Sequence, residues 1–132
     1  MTGYHITEQK NIKKFDISKV GSGMGTSFYG YGLYFALDKA TCEQYYKQFL
    51  NDRDYFIYKV SIDSRNIFSE DDMMPRSSMT VLEQYAQLVE EFGSEEAASK
   101  KIVKLGVDGI KYWSHEDGNS VVVYNDKILR IV

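Results

Sequence analysis

Gly30-Tyr31-Gly32-Leu33-Tyr34-Phe35-Ala36 is the stretch on which the fold turns. Gly32 to Ala36 is a short apolar run after glycine punctuation and reads as a buried strand. Asp38 can then cap a helix running to about Leu50. Its Cys42, Tyr45, Tyr46 and Phe49 are spaced to share one helical face. A strand leading into such a helix places aromatic rings from both elements near each other.

Upstream, Gly3 to Thr7 alternates apolar and polar residues and predicts a first strand. Residues 8 to 31 keep no sustained period and are rich in Lys, Ser and Gly. A connection of that length inside a small domain is usually functional or mobile, and Lys10 to Phe28 is its natural lid or acceptor-facing part. Downstream, Tyr55 to Ile62 alternates well, with Phe56, Tyr58, Val60 and Ile62 on one side. Residues 69 to 77 form an acidic, polar loop with the only proline, Pro75. Ser78 is expected to open a helix carrying Val81, Leu82, Tyr85, Leu88, Val89 and Phe92 as its apolar stripe. Gly93 ends that helix, and Ser94 caps another that turns Ala98, Ile102 and Leu105 inward and stops at Gly106. Three closing strands are expected: Val107 to Trp113, Ser120 to Tyr124 and Lys127 to Val132. Asp117-Gly118-Asn119 joins the first pair, and Asn125-Asp126 joins the second as a hairpin. Strands clustered at the end of the chain predict an α+β fold with an antiparallel-leaning sheet.

The 132 residues suit one domain spanning 1–132. With 43% hydrophobic and 27% charged residues, the chain can bury a core beneath a hydrophilic surface. Eleven tyrosines and seven phenylalanines suit either a β-rich core or a pocket that grips a flat ring. The net charge of −3 disfavours nucleic acid as a tightly held partner, since Lys10, Lys13, Lys14 and Lys19 make only a local basic patch. A lone Cys42 excludes an internal disulfide, and two histidines, His5 and His115, offer no metal-ligand spacing. No apolar run approaches the roughly 20 residues of a membrane span, and the polar start does not read as a signal peptide. A cytoplasmic protein is expected.

Some motifs fall away. Gly21, Gly23 and Gly25 resemble a dinucleotide fingerprint, but Thr26 stands where its third glycine belongs. Neither a strand before them nor a helix after them is expected. There is no Walker A sequence, no C-x-x-C, and no serine in a nucleophile elbow.

What remains is an ordered set: Tyr4-His5-Ile6-Thr7, then Phe15-Asp16, then Gly30 to Ala36. Cys42 and Tyr45 follow eight and eleven residues after Tyr34, and Asn119-Ser120-Val121-Val122-Val123-Tyr124 comes late. This set resembles the ADP-ribosyltransferases of the diphtheria-toxin-like, poly(ADP-ribose)-polymerase-like branch. The nearest resemblance is to compact stand-alone domains of phages, mobile elements and bacterial toxins. The branch carries a His on one strand, a Tyr in a Gly-x-Tyr-Phe strand and a Glu opening a late strand. The resemblance implies an ADP-ribosyltransferase-like fold, with a mostly antiparallel split sheet and flanking helices. NAD would be the substrate, no metal would be needed, and a macromolecule, foremost a protein, would accept ADP-ribose. A phage-encoded member would act in the host cytoplasm.

Residue by residue, the resemblance implies catalytic roles for His5, Tyr34 and Ser120, and NAD contacts from His5, Ile6, Thr7, Tyr34, Phe35, Cys42 and Tyr45. Tyr34 and Tyr45 would sandwich the electron-poor nicotinamide ring. The Ile6 N–H and C=O would hold its carboxamide, where the family has Gly. Cys42 stands where a Ser hydroxyl is common, and a thiol is the weaker hydrogen-bonding group. His5 would bond the adenosine-side ribose.

Ser120 is the main departure, because it occupies the position of the family glutamate. Cleaving the nicotinamide–ribose bond builds oxocarbenium character, which a buried carboxylate stabilises. Loss of one such group costs on the order of 10²–10³ in rate, which disfavours long-chain polymer synthesis. Glu116 or Asp117 could supply the carboxylate instead, or the acceptor could bring an acid. Three readings follow: a mono-ADP-ribosyltransferase, an NAD- or ADP-ribose-binding sensor or decoy, and a partner-binding domain using Glu70-Asp71-Asp72.

Overall fold

The computed structural model describes residues 1–19, 29–49, 54–115 and 118–132, with side chains in the first helix as far as residue 44. In chain order its elements are β1 (Thr2–Thr7), β2 (Leu33–Ala36), α1 (Lys39–Phe49), β3 (Phe56–Ile62), β4 (Ile67–Ser69), α2 (Val81–Phe92), α3 (Glu95–Lys104), β5 (Gly109–Ser114), β6 (Gly118–Val123) and β7 (Leu129–Ile131). The fold is α+β, as expected. Seven strands form one sheet in the order β4-β5-β6-β2-β1-β3-β7, parallel only between β4 and β5.

Helix ends follow local chemistry. Asp38 accepts the Thr41 N–H at 2.8 Å and so caps α1. The start of α2 differs from the expectation at Ser78. Thr80 is its N-cap, because Thr80 and Glu83 form a reciprocal capping box that satisfies two backbone donors. Such a cap contributes about 1 kcal/mol. Gly93 closes α2 at φ 72°, and the Ser94 side chain caps α3. Leu105 is 39% exposed and Phe92 47% exposed, so neither is the inward residue expected. Both come at helix C-termini, where the chain has begun to leave the sheet.

The largest correction concerns the C-terminus. Asn125-Asp126 does not make a hairpin between adjacent strands. The Asn125 side chain accepts the Lys127 N–H and starts a 3-10 turn, Asp126–Ile128, while its amide donates to Asp108. The chain thereby crosses to the opposite edge, where β7 pairs with β3 in the register Val60↔Ile131. The last strand was expected and only its partner differs; the strand missed in the sequence is β4, paired with β5 at Ile67↔Gly109.

Each sheet face has its own core. On the helix face, Val81, Tyr85 and Leu88 of α2 with Ala98 and Ile102 of α3 cover Ile110, Tyr112, Val122 and Tyr124. The other face buries Phe35, Val60, Ile62, Val121 and Val123 beneath Phe15 from the N-terminal loop. The ladders are unequal: β1 pairs with β3 from Thr2↔Ser61 to Thr7↔Phe56, but with β2 only at Tyr4↔Ala36. The sheet is thus continuous yet opens on one side of that pair. Among the described residues no helix is long and apolar enough to cross a membrane.

Candidate functional site

The aromatic turn ahead of β2 is pinned from beneath. Gly30 holds φ +90°, which an L side chain seldom adopts, and an added Cβ would overlap the Tyr85 ring and hydroxyl. That hydroxyl accepts the Tyr31 N–H at 3.1 Å and lies 2.7 Å from Ser99 Oγ. Ser99 Oγ donates to the Tyr31 carbonyl. The Tyr124 hydroxyl donates to the Tyr29 carbonyl at 2.6 Å, and its ring stacks on Tyr85 at 5.0 Å. Burial pushes both phenols' pKa values up, so they remain neutral donors. Tyr34 closes the turn on itself, donating to the Gly30 carbonyl at 2.7 Å and accepting the Tyr29 N–H at 2.9 Å.

Register decides which side chains meet. Tyr112 pairs with Ser120, Ser120 with Ala36 and Ala36 with Tyr4, so these four form one row across the helix face. Tyr34 pairs with Val122 on that same face, diagonal to Ser120, and its ring meets Tyr112 edge-on at 6.3 Å. Tyr34 and Ser120 therefore flank Ala36, the smallest side chain of the row. Ser120 is 3% exposed, and its hydroxyl lies 3.5 Å from the Gly118 carbonyl.

The β1 side contributes backbone. Met1 and Ile62 exchange two bonds, the Ile62 N–H to the Met1 carbonyl at 2.8 Å and the Met1 amine to the Ile62 carbonyl at 3.2 Å. Alternation along an antiparallel ladder then turns the Gly3 and His5 peptides towards β3, and those of Tyr4 and Ile6 towards β2. Because the β1–β2 register ends at Tyr4↔Ala36, Ile6 and Tyr34 form no registered pair. The Ile6 peptide thus faces the opening. The Tyr4 carbonyl beside it receives the Cys42 thiol at 3.5 Å. Cys42 is buried, and burial pushes its pKa up to about 11, so it is a neutral thiol directed at β1.

His5 stands on the opposite face from Tyr34 and Ser120. Its ring contacts Phe15 at 5.2 Å and Phe35 at 5.8 Å, both edge-on. Nδ1 lies 3.1 Å from the Tyr34 carbonyl, so it carries the proton. Burial lowers the ring's pKa against the raising effect of that bond. The His–Tyr–Ser trio is therefore brought together through the Tyr34 backbone, while only Tyr34 and Ser120 share a side-chain face. Phe35, 2% exposed, is a core residue under Phe15. Thr7 accepts the Gln9 N–H at 3.2 Å and ends β1. Tyr45 lies on α1, but its side chain, like all of Glu116 and Asp117, lies outside the described residues. His115 is exposed, with its ring 5.2 Å from Trp113.

Three residues here were not assigned to this site from the sequence, Glu70 having been read only as part of a partner-binding acidic loop. Tyr29 lies with its ring 4.2 Å from Tyr112 and donates its hydroxyl to Glu70 Oε2 at 2.7 Å. Burial first, then the Glu70 hydrogen bond and charge, hold the Tyr29 pKa up at about 12. The alternation of β5 could have marked Tyr112, but no local pattern marks Glu70 or Tyr29. Among the described residues no group of three or more His, Cys, Asp or Glu could hold a metal ion. No protein-family model matches the chain, and no curated protein matches it either.

Proposed function

We propose that the protein is a mono-ADP-ribosyltransferase of the ADP-ribosyltransferase-like fold, cleaving NAD and transferring ADP-ribose to a macromolecular acceptor, foremost a protein. One observation carries the reading. Tyr34 and Ser120 flank Ala36 on one face, beside the gap into which the Ile6 peptide opens. A flat ring bearing a carboxamide needs an aromatic wall, a floor without bulk, and a donor and acceptor in fixed geometry. Tyr34, Ala36 and the Ile6 N–H and C=O meet those needs. Tyr45, eleven residues after Tyr34, supplies the second wall in this reading. His5, through its bond to the Tyr34 carbonyl, holds the two lips of the gap in register. No metal takes part.

Incubation with labelled NAD and a cell lysate should transfer label to protein and release nicotinamide. Tyr34→Ala should abolish NAD binding by calorimetry while the sheet still melts cooperatively. Neither transfer nor release, with no NAD binding, would refute the reading. Ser120 favours a second reading, an NAD- or ADP-ribose-binding sensor or decoy, because a hydroxyl brings no charge to a developing oxocarbenium ion. Micromolar binding without nicotinamide release would select it.

A further inference from the structure

The site that lacks a carboxylate at Ser120 has one beside the same row. Phe68 of β4 pairs with Ile110 and packs into the helix-face core. Two residues on, Glu70 points to the same face, and its N–H donates to the Lys111 carbonyl at 3.3 Å. One residue past the end of the β4–β5 ladder at Ser69↔Lys111, Glu70 thus lies beside the helix-face row Tyr112, Ser120, Ala36, Tyr4. Two strand spacings separate Glu70 from Ser120, about 10 Å between backbones. That is too far for the Glu70 carboxylate to replace the family glutamate against the ribose.

Tyr29 spans the interval. Its ring lies on Tyr112, its N–H donates to the Tyr34 hydroxyl, and its own hydroxyl donates to Glu70. Glu70 is half-buried, unlike its exposed neighbours Asp71 and Asp72. A hydrogen-bonded phenol and carboxylate, held against the proposed nicotinamide wall, form a ready path for a proton.

We infer that Tyr29 and Glu70 form the proton-accepting pair for the incoming acceptor, an inference that rests on the transferase reading above. The nicotinamide–ribose C–N bond breaks with its electron pair going to the nitrogen, releasing neutral nicotinamide. The acceptor X–H forms the new bond to the ribosyl carbon. Its proton passes to the Tyr29 oxygen as the Tyr29 proton moves to Glu70. Atoms and charge balance without a further reactant. The pair assigns the acceptor side of the site to the β4–β5 edge and selects acceptors that must lose a proton, such as hydroxyl groups and water.

Glu70→Gln tests it, since the amide oxygen still accepts the Tyr29 O–H while the base is gone. NAD alone, with water as acceptor, is the probe. Nicotinamide release should fall by on the order of 10²–10⁴, with NAD affinity and melting temperature unchanged. By carbon NMR, Tyr29 should begin to titrate at lower pH in the variant, because a raising charge is removed. Unchanged nicotinamide release in Glu70→Gln, or a loss explained by weaker NAD binding or lower melting, overturns the inference. Wild-type protein that binds NAD but releases no nicotinamide overturns it too, leaving the NAD site standing. Absence of NAD binding removes the underlying reading instead.

Discussion

Replacing Gly30 with alanine should be among the most damaging single-methyl changes in the chain. Two costs fall on one atom. Holding alanine at φ +90° costs about 1–2 kcal/mol. The new Cβ also overlaps Tyr85, which cannot withdraw freely. Its ring is stacked on Tyr124, and its hydroxyl is bonded to Tyr31, Ser99 and the Glu95 carbonyl. Overpacking of that kind adds about 1–3 kcal/mol, and each displaced hydrogen bond about 0.5–1.5 kcal/mol. With one such bond lost, the total is about 3–6 kcal/mol, against typical domain stabilities of about 5–15 kcal/mol. At about 4 °C per kcal/mol, the melting temperature should drop by roughly 10–25 °C. Gly93→Ala is the control, because Gly93 sits at φ +72° with nothing within 4 Å of a new Cβ. It should lose only the backbone part, about 1–2 kcal/mol. Thermal melts of both variants decide the matter. Equal losses would refute the close approach of the turn to Tyr85, and with it the idea that α2 and α3 set the position of Tyr34.

Two other predictions concern the flanks of the site. Because the His5 pKa is lowered in the fold, the unfolded chain takes up a proton first as pH falls below about 6.5. Stability from this group is therefore complete above that pH and declines towards the folded pKa, at up to about 1.4 kcal/mol per pH unit. Melting between pH 7 and pH 5 should fall more steeply for the wild type than for His5→Asn; parallel slopes would contradict the half-buried, neutral ring. Ser120→Glu should raise nicotinamide release from NAD, since it restores a carboxylate beside Ala36. Unchanged release with NAD still bound would remove Ser120 from the reacting side of the pocket.

Features that depend on local chemistry were readable from the sequence. Alternation from Phe56 to Ile62 announced β3, and Asp38, Gly93 and Ser94 announced helix ends. The Thr80/Glu83 box was equally present, but Ser78 competes for the same reading until the fold shows which residue has extended backbone. Long-range pairing was not readable. Three residues of β4 carry no period, and Asn125-Asp126 reads as a hairpin turn unless the Asp108 partner is known. The site divides in the same way. Tyr34 stands out by its glycine context, and Ser120 by its resemblance to the family position. That they share a face while His5 does not is a matter of register. Glu70 looked like one acid of a polar loop, because only its bond from Tyr29, just past the β4–β5 ladder, brings it to the site.

The strand order also has a consequence for the order of assembly. Leu33 to Ala36 finds its full ladder only with Ser120 to Val123, and β1 must wait for residues 56 to 62. Distant pairings of this kind demand loop closure before they yield any contact energy, which slows folding. Tyr29 and Tyr34 are synthesised early, yet the Tyr112 ring that both meet arrives only with β5. The arrangement of Tyr34, Ala36 and Ser120 is consequently among the last features to form, and a nascent chain carrying all its early tyrosines lacks the proposed site until the C-terminal strands emerge.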